Sequence, residues 1–256
     1  MNTALHLLVT LAVCLLAVGP LAGARWVWRS PHTGILLWQL LALTVVLCVG
    51  GVAYLVAPWL GGAVAATLLA VFGHHWLATL RTRRQHRRIL SLVARADDAV
   101  PGVLVLDHPL TVAYCLPGLR SHVVLSSGAL AALSRDELAA VLAHEQTHAR
   151  ERHDLVLLPF LALRPLCRSV ADAVALLVEM RADESACPRS LSMALRRFTA
   201  VTPPGTLGMA DAADAAVHAR LSRLSAAAAP LPWWLRWSAV VAGLTLVSTP
   251  LSFLVW

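Results

Sequence analysis

The sequence has 256 residues, of which 58% are hydrophobic and only 14% charged, whereas soluble domains carry about 25% charged residues. This balance excludes an ordinary soluble enzyme and predicts an integral membrane protein. The net charge of +7 comes from arginine alone, because the 21 cationic residues include no lysine. Excess arginine suits anionic lipid headgroups, and no array of basic and aromatic residues indicates direct binding of nucleic acid.

Four apolar stretches are long enough to cross a lipid bilayer as helices. The first three cover residues 3–24, 35–57 and 61–80, and the fourth covers residues 238–256. Trp233, Trp234 and Trp237 precede the fourth stretch and are typical of an interfacial anchor. The sequence therefore predicts three transmembrane helices within residues 1–80 and an anchor with a fourth transmembrane helix in residues 233–256.

The arginines also predict how the chain is oriented in the cell membrane. Arg25 and Arg29 follow the first stretch, the turn after the second has no arginine, and five arginines follow the third between residues 81 and 88. Because cytoplasmic loops are enriched in arginine, we expect a multi-pass protein with an outside N-terminus and a cytoplasmic domain at residues 81–232. The alternative, a cleaved signal peptide ending near Ala24, lacks a basic n-region.

The pattern of residues 81–232 is typical of an α+β domain inserted in a mainly α membrane protein. A first helix is predicted over Gln85–Ala96, followed by a small sheet and then by more helices. The predicted strands are Val103–Leu106, Thr111–Leu116 and His122–Ser126. The later predicted helices are Val170–Ala186, Leu191–Val201 and Ala210–Ala226. The apolar stretch Leu155–Cys167 contains Pro159 and Pro165, so we expect a core or membrane-skirting segment there.

The stretch Ser134–Asp154 contains the motif His144-Glu145-Gln146-Thr147-His148. Side chains four residues apart share one face of a helix, so His144 and His148 are expected to bind one zinc ion with Glu145 as the adjacent base. With eleven histidines in the chain, chance would produce only about 0.01 such motifs. Ser134 and Glu137 predict a capping box at the start of this helix, which has no breaker before Asp154.

A catalytic zinc site generally needs a third protein ligand, and two carboxylates are candidates. Asp154 follows His148 by six residues, but we expect it to remain on the same helix and to point away from the metal. Glu179 begins the stretch Glu179-Met180-Arg181-Ala182-Asp183. Asp183 lies one turn after Glu179, where it can accept a hydrogen bond from a zinc-bound histidine. Glu179 is therefore the predicted ligand, and Asp183 is predicted to support the site.

These residues predict the chemistry of a zinc endopeptidase. Zinc polarises the scissile carbonyl, and Glu145 takes a proton from the attacking water. The residue that stabilises the oxyanion stays open among four candidates, Tyr114, His122, His153 and His218. An extended substrate is expected to add a strand at the edge of the sheet, along Thr111–Leu116 or His122–Ser126.

Several stretches of the sequence resemble the membrane gluzincin metallopeptidases. The resemblance lies in Ala113–Gly118, Val123–Gly128, Asp136–Glu145 and the Glu179-x-x-Ala182-Asp183 motif. This group includes the heat-shock membrane protease, the CAAX prenyl protease and the beta-lactam-sensing antirepressor peptidases, and the layout is most similar to the last. The resemblance implies zinc held by His144, His148 and Glu179, with Glu145 as the base.

The leading hypothesis is a membrane zinc endopeptidase that cleaves a cytoplasmic or membrane-proximal protein. The antirepressor resemblance implies a transcriptional repressor as substrate, within a signalling pathway. Sensing members carry an extracellular ligand-binding domain after the last helix, whereas this sequence stops at Trp256, so we expect a signal to arrive through a membrane sensor partner or a homo-oligomer. The alternatives are a protease for quality control of membrane proteins and a non-enzymatic scaffold in which zinc is structural.

Overall fold

The chain folds into two units, and each unit is built from more than one segment of the sequence. The computed structural model describes residues 3–96, 102–118, 121–199, 210–226 and 229–254. The first unit comprises Met1–Trp76, Leu158–Val178 and Ala229–Trp256, and the second comprises Leu77–Leu157 and Glu179–Ala228. Three of the boundaries between the units, after residues 76, 157 and 178, fall within α-helices.

Long apolar helices dominate the first unit. They are α1 (Thr3–Ala22), α2 (Pro31–Val56), the start of α3 (Pro58–Val93) and α10 (Trp233–Leu254), with a short 3-10 helix at Arg25–Arg29. Among the described residues, α1, α2 and α3 are long and apolar enough to cross a membrane, judged by length and composition. The helix α10 overlaps the predicted fourth transmembrane helix, and its role as a membrane span stays a prediction, as does the orientation of the chain.

Glycines let two of these apolar helices approach α2 closely. A Cβ atom at Gly243 of α10 would lie 2.7 Å from the Leu40 side chain of α2. A Cβ atom at Gly51 of α2 would lie 2.9 Å from the Leu7 side chain of α1. Small residues at such contacts allow backbones to come together, which is how helices associate when lipid removes the hydrophobic driving force.

The third helix is longer than the sequence predicted. We expected a membrane span over residues 61–80 and then a separate helix over Gln85–Ala96, but α3 runs without a break from Pro58 to Val93. The junction at residues 81–88 contains five arginines and neither glycine nor proline. Arginine is a good helix former, so the change from apolar to charged residues does not end the helix.

A four-stranded mixed sheet lies in the second unit. Its strands are β1 (Ala94–Ala96), β2 (Val103–Leu106), β3 (Ala113–Leu116) and β4 (His122–Ser126), arranged in the order β1-β2-β4-β3. The strand β2 pairs parallel to β4, and the other two pairings are antiparallel. The three predicted strands are confirmed, although β3 begins two residues later than predicted. The predicted helix end at Ala94–Ala96 was wrong, because these residues pair with β2 instead.

Alternate residues of β4 pack on opposite faces of the sheet, as strand geometry requires. Val123 and Leu125 join Val103 in a core that also contains Val141 and Ala194. On the other face, Val124 packs with Leu90 and Leu116. The first core fixes the sheet against the helix that carries the histidine motif, and so it positions the site.

In the described part of the chain, six helices lie between the sheet and α10. They are α4 (Ser127–Ala132), α5 (Arg135–Arg150), α6 (His153–Ala162), α7 (Arg168–Asp183), α8 (Pro188–Thr199) and α9 (Ala210–Ser225). The helices predicted at the positions of α7, α8 and α9 are confirmed within a few residues, except that the end of the second, predicted at Val201, lies outside the described residues. The short helix α4 was not predicted from the sequence, and its N-cap is Ser126, whose hydroxyl accepts a hydrogen bond from the Ala129 N–H.

The motif helix α5 begins as predicted and ends earlier than predicted. The Ser134 hydroxyl accepts a hydrogen bond from the Glu137 N–H, and Glu137 Oε2 accepts one from the Ser134 N–H at 2.7 Å, which confirms the capping box. At the other end, α5 stops at Arg150, and Arg152 has a positive φ of 52°. Asp154 therefore lies in the first turn of α6, and the prediction that it continues the motif helix was wrong.

Candidate active site

Three side chains of types that can bind a metal ion converge in the second unit, two from α5 and one from α7. His144 Nε2 lies 3.1 Å from His148 Nε2, and the Glu179 carboxylate lies 3.4 Å from His144 Nε2 and 3.6 Å from His148 Nε2. Ligand atoms that bind zinc tetrahedrally at about 2.0–2.1 Å lie roughly 3.3–3.4 Å apart. The observed separations lie near this value, with a different Glu179 oxygen facing each histidine, and the donor set of two imidazoles and one carboxylate suits zinc.

The electrostatic surroundings of the three groups differ strongly. Burial disfavours the charged form of His144, but the nearby carboxylates of Asp183 and Glu179 outweigh it and raise its pKa to about 9. Burial lowers the pKa of His148 to about 4. Although desolvation opposes it, contact with His144 and Arg220 holds the pKa of the Glu179 carboxyl at about 2. A metal ion would therefore compete mainly with the proton on His144.

A buried carboxylate and arginine stand behind His144. Asp183 is only 1% exposed, and its Oδ1 lies 3.0 Å from His144 Nδ1, on the ring edge opposite Glu179. The ring N–H is not fully aligned with this oxygen, so the contact is a close ionic one. Arg220 from α9 donates two hydrogen bonds to Asp183, at 3.0 and 2.6 Å, and its third nitrogen lies 2.9 Å from Glu179. Arg220 thus holds two carboxylates of the site.

A different chain of contacts stands behind His148. Its Nδ1 lies 2.9 Å from Nδ1 of His153, a residue that is 3% exposed. In the tautomer that leaves His148 Nε2 free toward His144 and Glu179, the His148 Nδ1–H is the donor and His153 Nδ1 the acceptor. His153 then carries its proton on Nε2, which lies 3.4 Å from Glu151. Arg181 completes the chain with two hydrogen bonds to Glu151, at 3.0 and 2.8 Å.

Glu145 lies between two cavities of the second unit. One, here called the His153 cavity, has a volume of about 310 Å³, and its lining includes Tyr114, Cys115, His148, His153, Asp154 and Leu157. The other, here called the Phe198 cavity, measures about 230 Å³. Both are also lined by His144, Glu145 and Glu179. Burial raises the pKa of the Glu145 carboxyl, which favours proton uptake beside the metal-binding groups.

The remaining candidate residues differ in whether they line the two cavities beside Glu145. Tyr114 and His153 line the His153 cavity, and the Tyr114 hydroxyl lies 2.7 Å from His86 Nε2. His122 lies on β4, and His218 is exposed on α9, where its Nδ1 contacts the Asp214 carbonyl. Neither of these two lines either cavity. Asp154 borders the His153 cavity, but its Oδ2 lies 2.8 Å from Arg83, and it does not belong to the cluster of metal-binding groups in the described part of the chain.

Sequence reasoning missed Arg220, and it treated His153 only as a possible oxyanion donor. Arg220 is 41 residues beyond Glu179 on a helix that is rich in alanine. Nothing in its local sequence distinguishes it from Arg223 nearby. His153 follows His148 by five residues, a spacing that would point away on a continuous helix. Only the break at Arg152 brings its ring against His148.

These features define a metallopeptidase domain of the H-E-x-x-H type, with a glutamate from a second helix beside the two histidines. The model of peptidase family M48 matches residues 79–229, and the chain belongs to this family. The resemblance to membrane gluzincins is thereby confirmed at the level of the family. The match to the family does not distinguish the antirepressor group from the other members.

Two relatives are similar to this chain over part of their length. A "Protease HtpX homolog" of Aeropyrum pernix is 32% identical over 130 residues, which is 50% of this chain and 37% of the relative. A "Protease HtpX homolog" of Trichormus variabilis is 30% identical over 114 residues, which is 44% of this chain and 37% of the relative. The matched region thus spans little more than a third of either relative. No solved structure matches the chain.

Proposed function

We propose that this chain is an integral membrane zinc endopeptidase with His144, His148 and Glu179 as metal ligands and Glu145 as general base. The observation that carries the proposal is the convergence of the two Nε2 atoms and the Glu179 carboxylate, whose ligand atoms lie within 4.8 Å of one another. Two imidazoles and one carboxylate form a ligand set typical of catalytic zinc, because they leave one coordination position open.

The side chains of the site have separate tasks in peptide hydrolysis. A zinc ion at this position supplies Lewis acidity that polarises the scissile carbonyl. Glu145 takes a proton from the attacking water and returns it to the leaving amine. Burial raises the pKa of its carboxyl toward neutral pH, and a general base is most effective when its pKa is near the working pH. Asp183 and His153 keep the two histidine rings in the orientation that directs both Nε2 atoms to the metal.

The edge of the sheet offers a place for an extended substrate. In the described sheet, β3 pairs only with β4, so no strand covers its other edge. Ala113 of β3 lines the Phe198 cavity, while Tyr114 and Cys115 line the His153 cavity. A peptide that adds a strand along β3 would therefore pass Glu145 and reach both cavities. The sequence left two stretches as candidates for this edge. Of their strands, β3 lies at the edge of the sheet and β4 lies inside it, so we favour β3.

The proposal also includes a membrane topology and a class of substrate. Three apolar helices and the arginine distribution support a multi-pass protein in the cell membrane, with an outside N-terminus and a cytoplasmic peptidase domain. The edge-strand mode of binding recognises backbone, so it favours quality control of unfolded membrane proteins. Cleavage of one repressor in a signalling pathway is the second candidate, because the peptidase domain lies between apolar helices as in the antirepressor group.

The decisive experiment compares cells that express the wild-type protein with cells that express Glu145→Gln. Quantitative proteomics of protein termini should reveal new termini only with the wild-type protein. Many termini in membrane proteins support quality control, whereas a single terminus in one soluble regulator supports the signalling role. Identical termini in the two strains, while the purified protein still binds one zinc ion, would favour the non-enzymatic scaffold and refute the peptidase proposal.

The ligand set is tested separately by metal content. Purified His148→Ala and Glu179→Ala should retain little zinc, because each removes one of three ligands. Asp154→Ala serves as the matched control, since this carboxylate borders the same cavity but pairs with Arg83. Full zinc occupancy in Glu179→Ala combined with loss in Asp154→Ala would transfer the third ligand to Asp154.

A further inference from the structure

The first unit contains a cavity of about 420 Å³, here called the Trp38 cavity. Its walls come from α1, α2, α3 and the segment from α6 to the start of α7, and all of its lining residues belong to the first unit. Apolar side chains form most of the wall. Gln39, Cys167 and the indole N–H of Trp38 are the polar groups among the described lining residues, and none of these residues is charged. The chemistry of the wall therefore suits hydrocarbon.

The Trp38 cavity opens onto the apolar surface of the long helices. Leu15 of α1 and Leu43 of α2 both line it, yet these residues are 57% and 46% exposed. Since α1 and α2 are long and apolar enough to cross a membrane, this surface faces lipid chains in the proposed topology. Water is a poor occupant, because apolar cavities stay dry. The surrounding lipid is thus the source of an occupant.

Trp38 adds a requirement that a plain hydrocarbon does not meet. The residue is 1% exposed, and its Nε1 is a buried donor without an acceptor among the described residues. A buried tryptophan N–H usually finds a hydrogen-bond partner, because an unpaired donor costs free energy. The occupant should therefore present an oxygen acceptor to Trp38 and an apolar chain to the rest of the cavity.

The position of Trp38 along α2 matches the ester level of a bilayer. Trp38 follows the start of the predicted second span, at residue 35, by three residues, which is about 5 Å of helix. Phospholipid ester groups lie at the boundary between the hydrocarbon core and the headgroups. From Trp38 the lining continues along α2 to Val46, over about 12 Å. An ester beside Trp38 would direct its acyl chain along α2 toward the membrane centre.

The volume of the Trp38 cavity fits a lipid chain and excludes a helix. An apolar cavity of about 150 Å³ holds benzene. The volume of about 420 Å³ is roughly three times larger, which accommodates the greater part of an acyl chain. A transmembrane helix of a substrate or of a second copy, about 10 Å across, would need roughly 900 Å³ over a length of about 12 Å.

We propose that the Trp38 cavity is a binding site for one acyl chain of a glycerophospholipid, whose ester carbonyl accepts a hydrogen bond from Trp38 Nε1. The site uses the membrane placement included in the proposed function, but it does not depend on peptidase activity. Arg25 and Arg29 lie just before α2, at the same end of this helix as Trp38, and both are exposed. Cationic side chains at this level suit an anionic headgroup.

The test compares two lipids that differ in the carbonyl alone. The full-length protein is purified in detergent, stripped of loosely held lipid, and titrated with dipalmitoylphosphatidylglycerol or with the ether-linked dihexadecyl analogue. Native mass spectrometry counts the lipids that remain bound. The wild-type protein should retain one lipid and should bind the ester about fivefold more tightly than the ether, which is the usual effect of one hydrogen bond.

Two variants separate the hydrogen bond from the volume. Trp38→Phe keeps an aromatic ring without the donor, so it should bind the ester and the ether equally. Ala42→Phe places a larger side chain in the cavity and should weaken binding of both lipids about tenfold. The matched controls are Trp237→Phe and Val49→Phe, because both residues are exposed and neither lines the cavity. Both controls should bind as the wild-type protein does, and gel filtration with circular dichroism identifies correctly folded variants.

The outcomes distinguish this site from the proposals that precede it. Retention of no lipid by the wild-type protein, or equal retention by Ala42→Phe and Val49→Phe, would overturn the site. Equal affinity of the wild-type protein for the ester and the ether would overturn the contact with Trp38. A protein that stays monodisperse without detergent would contradict the membrane placement and this site together. None of these measurements involves cleavage, so failure of the peptidase proposal would leave the lipid site intact.

Discussion

The two histidines of the motif lie one turn apart on α5, yet they are supported in different ways. His144 has the buried Asp183 carboxylate behind it, and Arg220 neutralises that carboxylate. His148 has a neutral ring behind it, that of His153. Burial disfavours the charged form of both rings: it lowers the pKa of His148 to about 4, whereas at His144 the Asp183 and Glu179 carboxylates outweigh it and raise the pKa to about 9. The comparison teaches that spacing places both rings on one face, while the groups packed around each ring set its pKa.

Among the variants that test this difference between the two histidines, Asp183→Asn should have the largest effect on zinc affinity. The variant removes the charge behind His144 and leaves Arg220 with Glu179 as its remaining carboxylate partner. Residues behind a zinc ligand typically contribute about 10–100-fold to metal affinity, and we expect the upper end of that range because Asp183 is buried. Competition with a zinc chelator measures the affinity. The control is Asp172→Asn on the same helix, where an exposed aspartate pairs with Arg164, and equal affinities in the two variants would contradict the assigned role.

The pH dependence of zinc binding sharpens the comparison further. His144 keeps its proton up to a pKa of about 9, whereas His148 is neutral above about 4. Zinc must displace the His144 proton, so its affinity should increase roughly tenfold per pH unit through neutrality and level off above the pKa of His144. Calorimetry in two buffers of different ionisation enthalpy counts the protons released, and Asp183→Asn should reduce that number. Binding near neutral pH without proton release would refute this account.

The His148 side of the comparison is tested by His153→Leu. Loss of the imidazole acceptor should leave the His148 ring less well oriented and reduce zinc affinity by about tenfold. His153→Asn places an amide oxygen near the position of Nδ1 and should restore part of the affinity. His218→Leu is the control, because His218 is exposed and its ring contacts the Asp214 carbonyl of its own helix. Unchanged affinity in His153→Leu would mean that His148 needs no support from this ring.

The sequence predicted the parts of the site that depend on local spacing. The motif of His144, Glu145 and His148 needs only one helical face, and the capping box at Ser134 needs only one turn. The pairing of Glu179 with Asp183 could be predicted from their separation by one turn. Three of the four strands followed from short apolar runs between turn residues. All of these features are determined within about ten residues of the chain, where propensity and periodicity are informative.

Features that depend on distant contacts were beyond this reasoning. The continuity of α3 was missed because a change from apolar to charged residues resembles a boundary even where no residue ends the helix. The break at Arg152 was missed because Glu151 and Arg152 are acceptable helix residues. Their side chains instead contact Arg181 and the Gly118 carbonyl, from other parts of the second unit. Tertiary contacts of this kind override local propensity, and the break is what places His153 behind His148.

The smallest expected effect concerns the N-terminus of the helix that carries both histidines. The Ser134 N–H and the Arg197 side chain hold the pKa of the Glu137 carboxyl below its ordinary value. This carboxylate therefore stabilises the fold at pH values above its unfolded pKa of about 4.3, and that stability is lost as the pH falls through the lower folded pKa. Glu137→Gln keeps an acceptor for Ser134 but loses the charge, which should cost about 1 kcal/mol of unfolding free energy at neutral pH.

Denaturant unfolding of the wild-type protein and of Glu137→Gln across the acid range measures this effect. The two stabilities should differ at pH 7 and converge at the lowest pH, because the carboxyl of the wild-type protein is then protonated. Asp136→Asn provides the control, since Asp136 is the exposed neighbour in the same first turn. A difference that persists unchanged in acid would assign the effect of Glu137 to side-chain packing. Zinc affinity should change little, because the capping box lies two turns before His144.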